Sequence, residues 1–168
     1  MTNSGYGRII NITSGAGLYG NFGQANYSAG KMGILGLSKT LAKEGEKYNV
    51  MVNCIAPIAA SQMTAALLPL AVLKELKPEH IVPLVTYLAS ADCRENGGIF
   101  EAGGGWYSKL RWERSAGVKL GEGDSCCSAE DIAKHFTAIS DFSRETSSYP
   151  TDAIDAIRVA LSTPKPFK

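Results

Sequence analysis

Tyr27 and Lys31 stand four positions apart in the stretch "NYSAGK", just ahead of the apolar run "MGILGL". On a helix, this spacing puts both side chains on one face. A phenol is almost wholly neutral at pH 7, and a positive charge one turn away favours the ionised form that can accept a proton. An ordinary amphipathic helix with a solvated lysine has the same spacing, so the pair needs a third group to indicate chemistry.

Ser14 is the candidate for that third group, because it follows the strand-like segment "RIINIT" and precedes Tyr27 by thirteen residues. Parallel sheets bind ligands outside the carboxyl ends of their strands. A helix that begins after the next loop could return Tyr27 and Lys31 to this edge. Ser14 would then hydrogen-bond the substrate oxygen while Tyr27 acts as general base. The three side chains together predict a site for oxidising a hydroxyl or reducing a carbonyl by hydride transfer.

The elements that must position this site alternate between strand and helix. Apolar segments predict buried strands at residues 8–13, 50–56 and 99–102. Helical periodicity predicts one helix from Asn26 to about Tyr48 and another from Pro78 to Ala91. This alternation predicts an α/β fold with a parallel sheet of about three strands.

The composition shifts after Trp106, which predicts a division of the chain into residues 1–105 and 106–168. The second part reads as a linker-like arm followed by two helices that pack on the first part. Ser128 and Asp131 have the spacing of a capping box at the start of one helix, and residues 151–162 predict the other.

The stretch "GAGLYG", residues 15–20, matches the G-x-G-x-x-G pattern of dinucleotide-binding turns. That fingerprint also requires a helix at its third glycine and an acidic residue about 20 positions later. Here "NFGQA" comes before any helix, and Glu44 and Glu46 lie at the polar end of that helix. We therefore interpret residues 14–24 as a mobile glycine-rich loop over a pocket.

Charge and composition exclude several other classes of protein. The 17 basic and 16 acidic residues nearly cancel, which gives no electrostatic case for nucleic acid or an anionic membrane surface. No apolar run is long enough to span a membrane, and "MTNSGYGRII" lacks the apolar region of a signal peptide. The four cysteines show no zinc-site spacing, so no metal is expected, and Cys126 and Cys127 are predicted to be reduced thiols.

The set "IINITS", "NYSAGK" and "VNCIAP" resembles the short-chain dehydrogenase/reductase family, whose pattern is a serine after a strand, then Y-x-x-x-K, then a strand ending in proline. Longer stretches, among them "GLYGNFGQANYSAGK", "LKPEHIVPLVTYL" and "KLRWER", resemble the members that oxidise (3R)-hydroxyacyl-CoA in peroxisomal β-oxidation. The resemblance implies the C-terminal half of a Rossmann-type, doubly wound parallel sheet with a helical C-terminal extension. The first four strands of the family lie outside the sequence.

The resemblance also implies the roles of individual residues. Ser14, Tyr27 and Lys31 match the catalytic residues, and Tyr19 and Phe22 are placed to border the acyl pocket. The nicotinamide end of NAD would lie against six residues: Tyr27, Lys31, Pro57, Ile58, Ala60 and Thr64. Ala60 replaces a glycine of the related enzymes, which bears on the shape of this loop. The pyrophosphate and adenine sites would belong to the absent strands.

The partners implied by the resemblance are a fatty acyl-CoA substrate and a second copy of the enzyme, which packs on the tyrosine-bearing helix. A peroxisomal location is also implied, although the final residues "PFK" are not an S-K-L type signal. Two alternatives stay open: a non-catalytic or dimerising fragment of the family, and a short-chain dehydrogenase/reductase for another hydroxyl or carbonyl substrate. The 168-residue chain alone is expected to be inactive and to aggregate through the open edge of its first strand.

Overall fold

The computed structural model describes residues 2–60, 69–121, 126–142 and 147–161. The chain divides into two compact units, Met1–Leu110 and Arg111–Lys168. All the candidate site residues named above belong to the first unit.

The first unit is built on a four-stranded sheet in the order β1-β2-β3-β4. The strands are β1 (Gly7–Ile12), β2 (Val50–Pro57), β3 (Ile99–Gly103) and β4 (Trp106–Leu110). β1, β2 and β3 are parallel, whereas β4 pairs antiparallel with β3. In its described residues, the helices are α1 (Gly15–Tyr19), α2 (Ala25–Gly45), α3 (Leu70–Glu75) and α4 (Val82–Ala89), with 3-10 turns at Thr2–Ser4, Glu46–Tyr48 and Pro78–Ile81. The predicted α/β fold is confirmed, with one strand more than the three or so expected.

The additional strand, β4, lies where the sequence was interpreted as a linker-like arm. Gly104 and Gly105 connect β3 to β4 and have φ values of 56° and 81°. Positive φ at both central residues is typical of a two-residue hairpin turn, and glycine adopts it without steric cost. The turn pairs Gly103 with Trp106 and continues the sheet to Leu110.

The segment interpreted as a mobile loop over a pocket contains the short helix α1, so that interpretation was wrong for residues 15–19. Ser14 is the N-cap of α1, and its Oγ accepts a hydrogen bond from the N–H of Ala16 at 3.2 Å. Gly20, with φ of 78°, ends the helix. Ser14 therefore joins the end of β1 directly to the start of α1.

The sheet is buried on both faces at its centre. On the face covered by α2, buried side chains come from the helix and from β2 and β3: Leu35, Ala42, Val50, Val52, Cys54 and Ile99. On the opposite face, Leu88 of α4 and Cys93 pack against Ile55 of β2. Burial on two faces explains why β2 is an almost continuous apolar run without alternation.

The second unit contains α5 (Ala129–Ile139) and α6 (Ala153–Leu161). The predicted capping box is present: Ser128 Oγ accepts from the N–H of Asp131, and the N–H of Ser128 donates to Asp131 Oδ2, both at 3.1 Å. Hydrogen bonds from the Ser128 backbone and side chain lower the pKa of Asp131. Among the helices of the described ranges, none combines the length and apolar character needed to cross a membrane.

Candidate active site

Lys31 lies at the carboxyl end of β1, where ligands bind in parallel sheets. Its Nζ donates to the carbonyl of Ile12 at 3.1 Å, and the hydroxyl of Thr13 donates to the carbonyl of Lys31 at 2.7 Å. Farther along α2, Asn11 Nδ2 donates to Ser38 Oγ at 2.8 Å. These three contacts fix α2 along β1, and they hold the Lys31 ammonium beside the strand end.

Tyr27 occupies the first turn of α2, one turn before Lys31. The side chain is 44% exposed, and the Lys31 ammonium lies 5.6 Å from the centroid of its ring. Its hydroxyl makes no hydrogen bond to any residue in the described ranges. The two side chains lie on the same face of α2, as the spacing predicts.

Ser14 is held by α1 through three hydrogen bonds. Its carbonyl accepts from the N–H groups of Gly17 and Leu18 at 2.9 and 3.1 Å, and its Oγ accepts from Ala16. Because Oγ serves as acceptor in the cap, its proton remains available for a ligand oxygen. In the described chain no hydrogen bond joins the side chains of Ser14, Tyr27 and Lys31. Catalytic hydrogen bonds often tighten only when substrate is bound.

The middle glycine of "GAGLYG" has a packing role at this site. A Cβ added at Gly17 would lie 2.9 Å from Lys31 Cβ and 3.1 Å from the backbone of Lys31 and Met32. α1 therefore rests directly on α2 at Lys31, and only a residue without a side chain allows this approach. This packing explains why residue 17 is a glycine, and no phosphate-binding role is needed to explain it.

The end of β2 borders the same edge of the sheet, and Pro57 is its last residue. The N–H of Ile58 donates to the carbonyl of Ala102, and that of Ala60 donates to the carbonyl of Leu76, both at 2.7 Å. Neither N–H is therefore free to bind a cofactor in this conformation. Thr64, the other residue predicted to bind the cofactor, lies outside the described residues.

The two predicted pocket residues have different surroundings. Tyr19, at the end of α1, donates through its hydroxyl to Glu101 Oε2 at 2.8 Å. Although the side chain is 64% exposed, partial desolvation, together with the hydrogen bond and negative charge of Glu101, raises the pKa of Tyr19. Phe22 is fully exposed, at 102% of the reference area, so it lies on the surface of the first unit.

Three residues of the site were not predicted: Thr13, Gly17 and Glu101. Thr13 is 2% exposed and anchors the backbone of Lys31. Glu101 is an acid in a short strand whose flanks are glycines, "GGIFEAGGG". A charged residue in the middle of an otherwise apolar strand is a signal that could have identified it, because buried strands rarely carry an unpaired charge.

Other features of the first unit lie away from this site. A cavity of about 630 Å³ is lined by α4 and the segment before β3, and none of the predicted site residues borders it. Across the described ranges, no cluster of three or more His, Cys, Asp or Glu side chains could hold a metal ion. All four cysteines are free thiols, and burial raises the pKa of Cys54.

A family model described as short chain dehydrogenase matches residues 1–69, the segment that contains Ser14, Tyr27 and Lys31. The matched segment, less than half of the chain, is thus similar to the short-chain dehydrogenases. The match covers β1, α1, α2 and β2, the elements that build the candidate site. The family and the Rossmann-like fold suggest a nicotinamide nucleotide as cofactor and support an oxidoreductase.

Similarity to known proteins extends beyond this short-chain dehydrogenase segment. The chain is 48% identical to "Peroxisomal multifunctional enzyme A" of Dictyostelium discoideum over 96% of its own length and 35% of that protein. It is 51% identical to "Peroxisomal hydratase-dehydrogenase-epimerase" of Saccharomyces cerevisiae over 84% of its own length and 16% of that protein. The chain thus spans about a third or less of these two relatives.

A solved structure also resembles nearly the whole chain. Full-length peroxisomal multifunctional enzyme type 2 from Drosophila melanogaster superimposes with a TM-score of 0.84 at 36% identity. The match covers 96% of this chain and 29% of that one. The similarity therefore includes the fold around the candidate site as well as the short motifs.

Proposed function

We propose that this chain carries the catalytic segment of an NAD-dependent dehydrogenase that oxidises the 3-hydroxyl of (3R)-hydroxyacyl-CoA to a 3-oxo group. The observation that carries the proposal is the position of Lys31. Its ammonium donates a hydrogen bond to the carbonyl of Ile12, the last residue of β1, and Ile12 precedes Ser14 by two residues. Tyr27 lies one helical turn before Lys31 on α2. The proposal is that Ser14, Tyr27 and Lys31 act together at this strand end.

In the proposed reaction, Ser14 and Tyr27 hold and deprotonate the substrate hydroxyl. The Ser14 proton, which the α1 cap leaves free, donates to the substrate oxygen. Tyr27, as phenolate, accepts the hydroxyl proton while the C3–H bond breaks. Lys31 places a positive charge 5.6 Å from the centroid of the Tyr27 ring. Tyr19 is not the proposed base: its hydroxyl donates to Glu101, and partial desolvation together with Glu101 raises its pKa.

Lys31 and Tyr27 have polar groups that suit the ribose next to the nicotinamide of NAD. When bound, the nicotinamide would accept the hydride from C3 of the substrate. An ammonium has three N–H donors, and the bond from Lys31 to Ile12 uses one of them. The other two, with the Tyr27 hydroxyl, can bind ribose hydroxyl groups. Pro57, Ile58 and Ala60 are proposed to border the nicotinamide through atoms other than the two N–H groups that the protein already uses.

The substrate, the second copy and the compartment are proposed from the resemblance and from the names of the relatives. A fatty acyl-CoA is the substrate that the resemblance implies, and two relatives are named peroxisomal. A homodimer through α2 is supported by its exposed Met32 and Leu37, and by Gly33 and Gly36, whose Cβ positions are open. We therefore propose a dimeric peroxisomal enzyme.

The direct test is oxidation of the two epimers of 3-hydroxyacyl-CoA by the full-length protein with NAD, measured by the absorbance of NADH. We expect turnover of the (3R) epimer and a rate at least about tenfold lower for (3S), because the reverse configuration turns the C3 hydrogen away from the cofactor. Equal rates on the two epimers would refute the stereochemical assignment. Activity confined to a non-CoA alcohol would favour the alternative short-chain dehydrogenase.

Replacing Lys31 by methionine removes the ammonium that is proposed to bind the ribose of NAD, and it keeps much of the side-chain stem. NAD affinity should fall about tenfold, the scale of one hydrogen bond to a charged group. Lys43→Met, an exposed lysine in the last turn of α2, is the matched control. Unchanged NAD affinity in Lys31→Met would make Lys31 an ordinary surface lysine.

A further inference from the structure

The position of α1 depends on tertiary contacts, because a helix of five residues is too short to be stable by itself. Leu18 packs against the buried cluster of Leu35, Cys54 and Ile99, which holds one side of the helix. Gly17 rests on the backbone of α2. The third contact is the hydrogen bond at 2.8 Å from Tyr19 to Glu101.

The Tyr19–Glu101 bond spans the sheet. Tyr19 belongs to the connection that follows β1, whereas Glu101 lies on β3, with β2 between them. Glu101 is aligned with Ala56 of β2 and Ser108 of β4, so its backbone is fixed by ladders on both sides. A bond between a neutral phenol and a carboxylate on a rigid strand is charge-assisted and stronger than a neutral one.

The opposite end of α1 is Ser14. The cap and the two bonds to its carbonyl tie Ser14 to Ala16, Gly17 and Leu18, so a shift of α1 moves the Ser14 hydroxyl. We propose that Tyr19 and Glu101 are positioning residues, which fix α1 and thereby aim Ser14 at the substrate oxygen. This inference rests on the proposed dehydrogenase function, and it assigns Tyr19 a role different from lining the acyl pocket.

The proposal is tested with Tyr19→Phe, Glu101→Ala and the double variant in the full-length protein. Each single variant should lower kcat by about tenfold, since displacement of a catalytic group by a fraction of an ångström is costly. The KM for the acyl-CoA should stay within about twofold, because neither side chain contacts substrate. The double variant should be no worse than the single ones, since both remove the same bond. Glu101→Gln, which retains a carbonyl acceptor, should recover part of the lost kcat.

Hydrogen exchange supplies a readout that does not depend on turnover. The amides of Gly17 and Leu18, which donate to Ser14, should exchange faster in Tyr19→Phe than in the parent. The control is Tyr87→Phe, a tyrosine on α4 with exposure similar to that of Tyr19, 58% against 64%. It should alter neither kcat nor the exchange of these amides. Since the Tyr19–Glu101 pair is exposed, the melting temperature of every variant should remain near that of the parent.

The outcomes separate this inference from the proposed function. A parent that oxidises (3R)-hydroxyacyl-CoA, together with a Tyr19→Phe variant of unchanged kcat, overturns the positioning role alone. A rise in KM with unchanged kcat assigns Tyr19 to substrate binding and also overturns it. An inactive parent refutes the proposed function, and unchanged exchange at Gly17 and Leu18 in Tyr19→Phe would refute the role of the Tyr19–Glu101 bond in fixing α1.

Discussion

Replacing Tyr27 by phenylalanine is expected to lower kcat for (3R)-hydroxyacyl-CoA oxidation by at least about 10²-fold, the usual contribution of a positioned general base. The hydroxyl has no partner among the described residues, and the side chain is 44% exposed, so its loss leaves packing intact. The fold and the melting temperature should therefore be preserved. Steady-state turnover with NAD, together with thermal unfolding of the same samples, measures both quantities.

Tyr48→Phe is the matched control for this prediction. Tyr48 is 39% exposed and lies in the 3-10 turn after α2, far along the helix from Ser14. It should retain parental turnover. If Tyr27→Phe turned over within a factor of three of the parent, Tyr27 would have no part in proton transfer, and the proposed mechanism would need another base.

The Gly103→Ala substitution is expected to produce the largest loss of stability. A Cβ at this position would overlap the carbonyl oxygen of Ile58 and lie 2.6 Å from its Cβ. Such contacts cannot be accommodated without moving the end of β2 away from β3. We expect the free energy of unfolding to fall by about 1–3 kcal/mol, the range for overpacked sites. Urea unfolding followed by circular dichroism measures the change.

The displacement should also affect the proposed cofactor site, because the N–H of Ile58 is bound to the carbonyl of Ala102, next to Gly103. NAD affinity is therefore expected to fall together with stability. Parental stability in Gly103→Ala would contradict the close approach of β2 and β3.

Much of the fold could be predicted from local patterns. β1, β2 and β3 were predicted within one or two residues, because short apolar runs bounded by glycine or proline indicate buried strands. α2 was predicted from its period, and the capping box at Ser128 from a three-residue spacing. These features depend on residues close in the chain, which is why the sequence alone was sufficient.

The strand β4 and the helix α1 were not predicted from the sequence, for different reasons. β4 follows the pair Gly104–Gly105, which is a hairpin signal, but the polar composition after Trp106 was interpreted as a linker. α1 was interpreted as a loop because three of the six residues in "GAGLYG" are glycines, which destabilise isolated helices. Leu18 in the core and Gly17 against Lys31 provide the stabilisation that propensity does not predict.

The sequence by itself determined the identity of the chemical groups: Ser14 at a strand end, and Tyr27 and Lys31 on one helix face, because spacing along a chain controls which side chains share a surface. Only the tertiary structure decided that Lys31 reaches the carbonyl of Ile12, and that Glu101 reaches Tyr19 across β2. Tyr19 and Glu101 are 82 positions apart, and they meet because of the sheet order and the helix packing. No local sequence pattern specifies either of these.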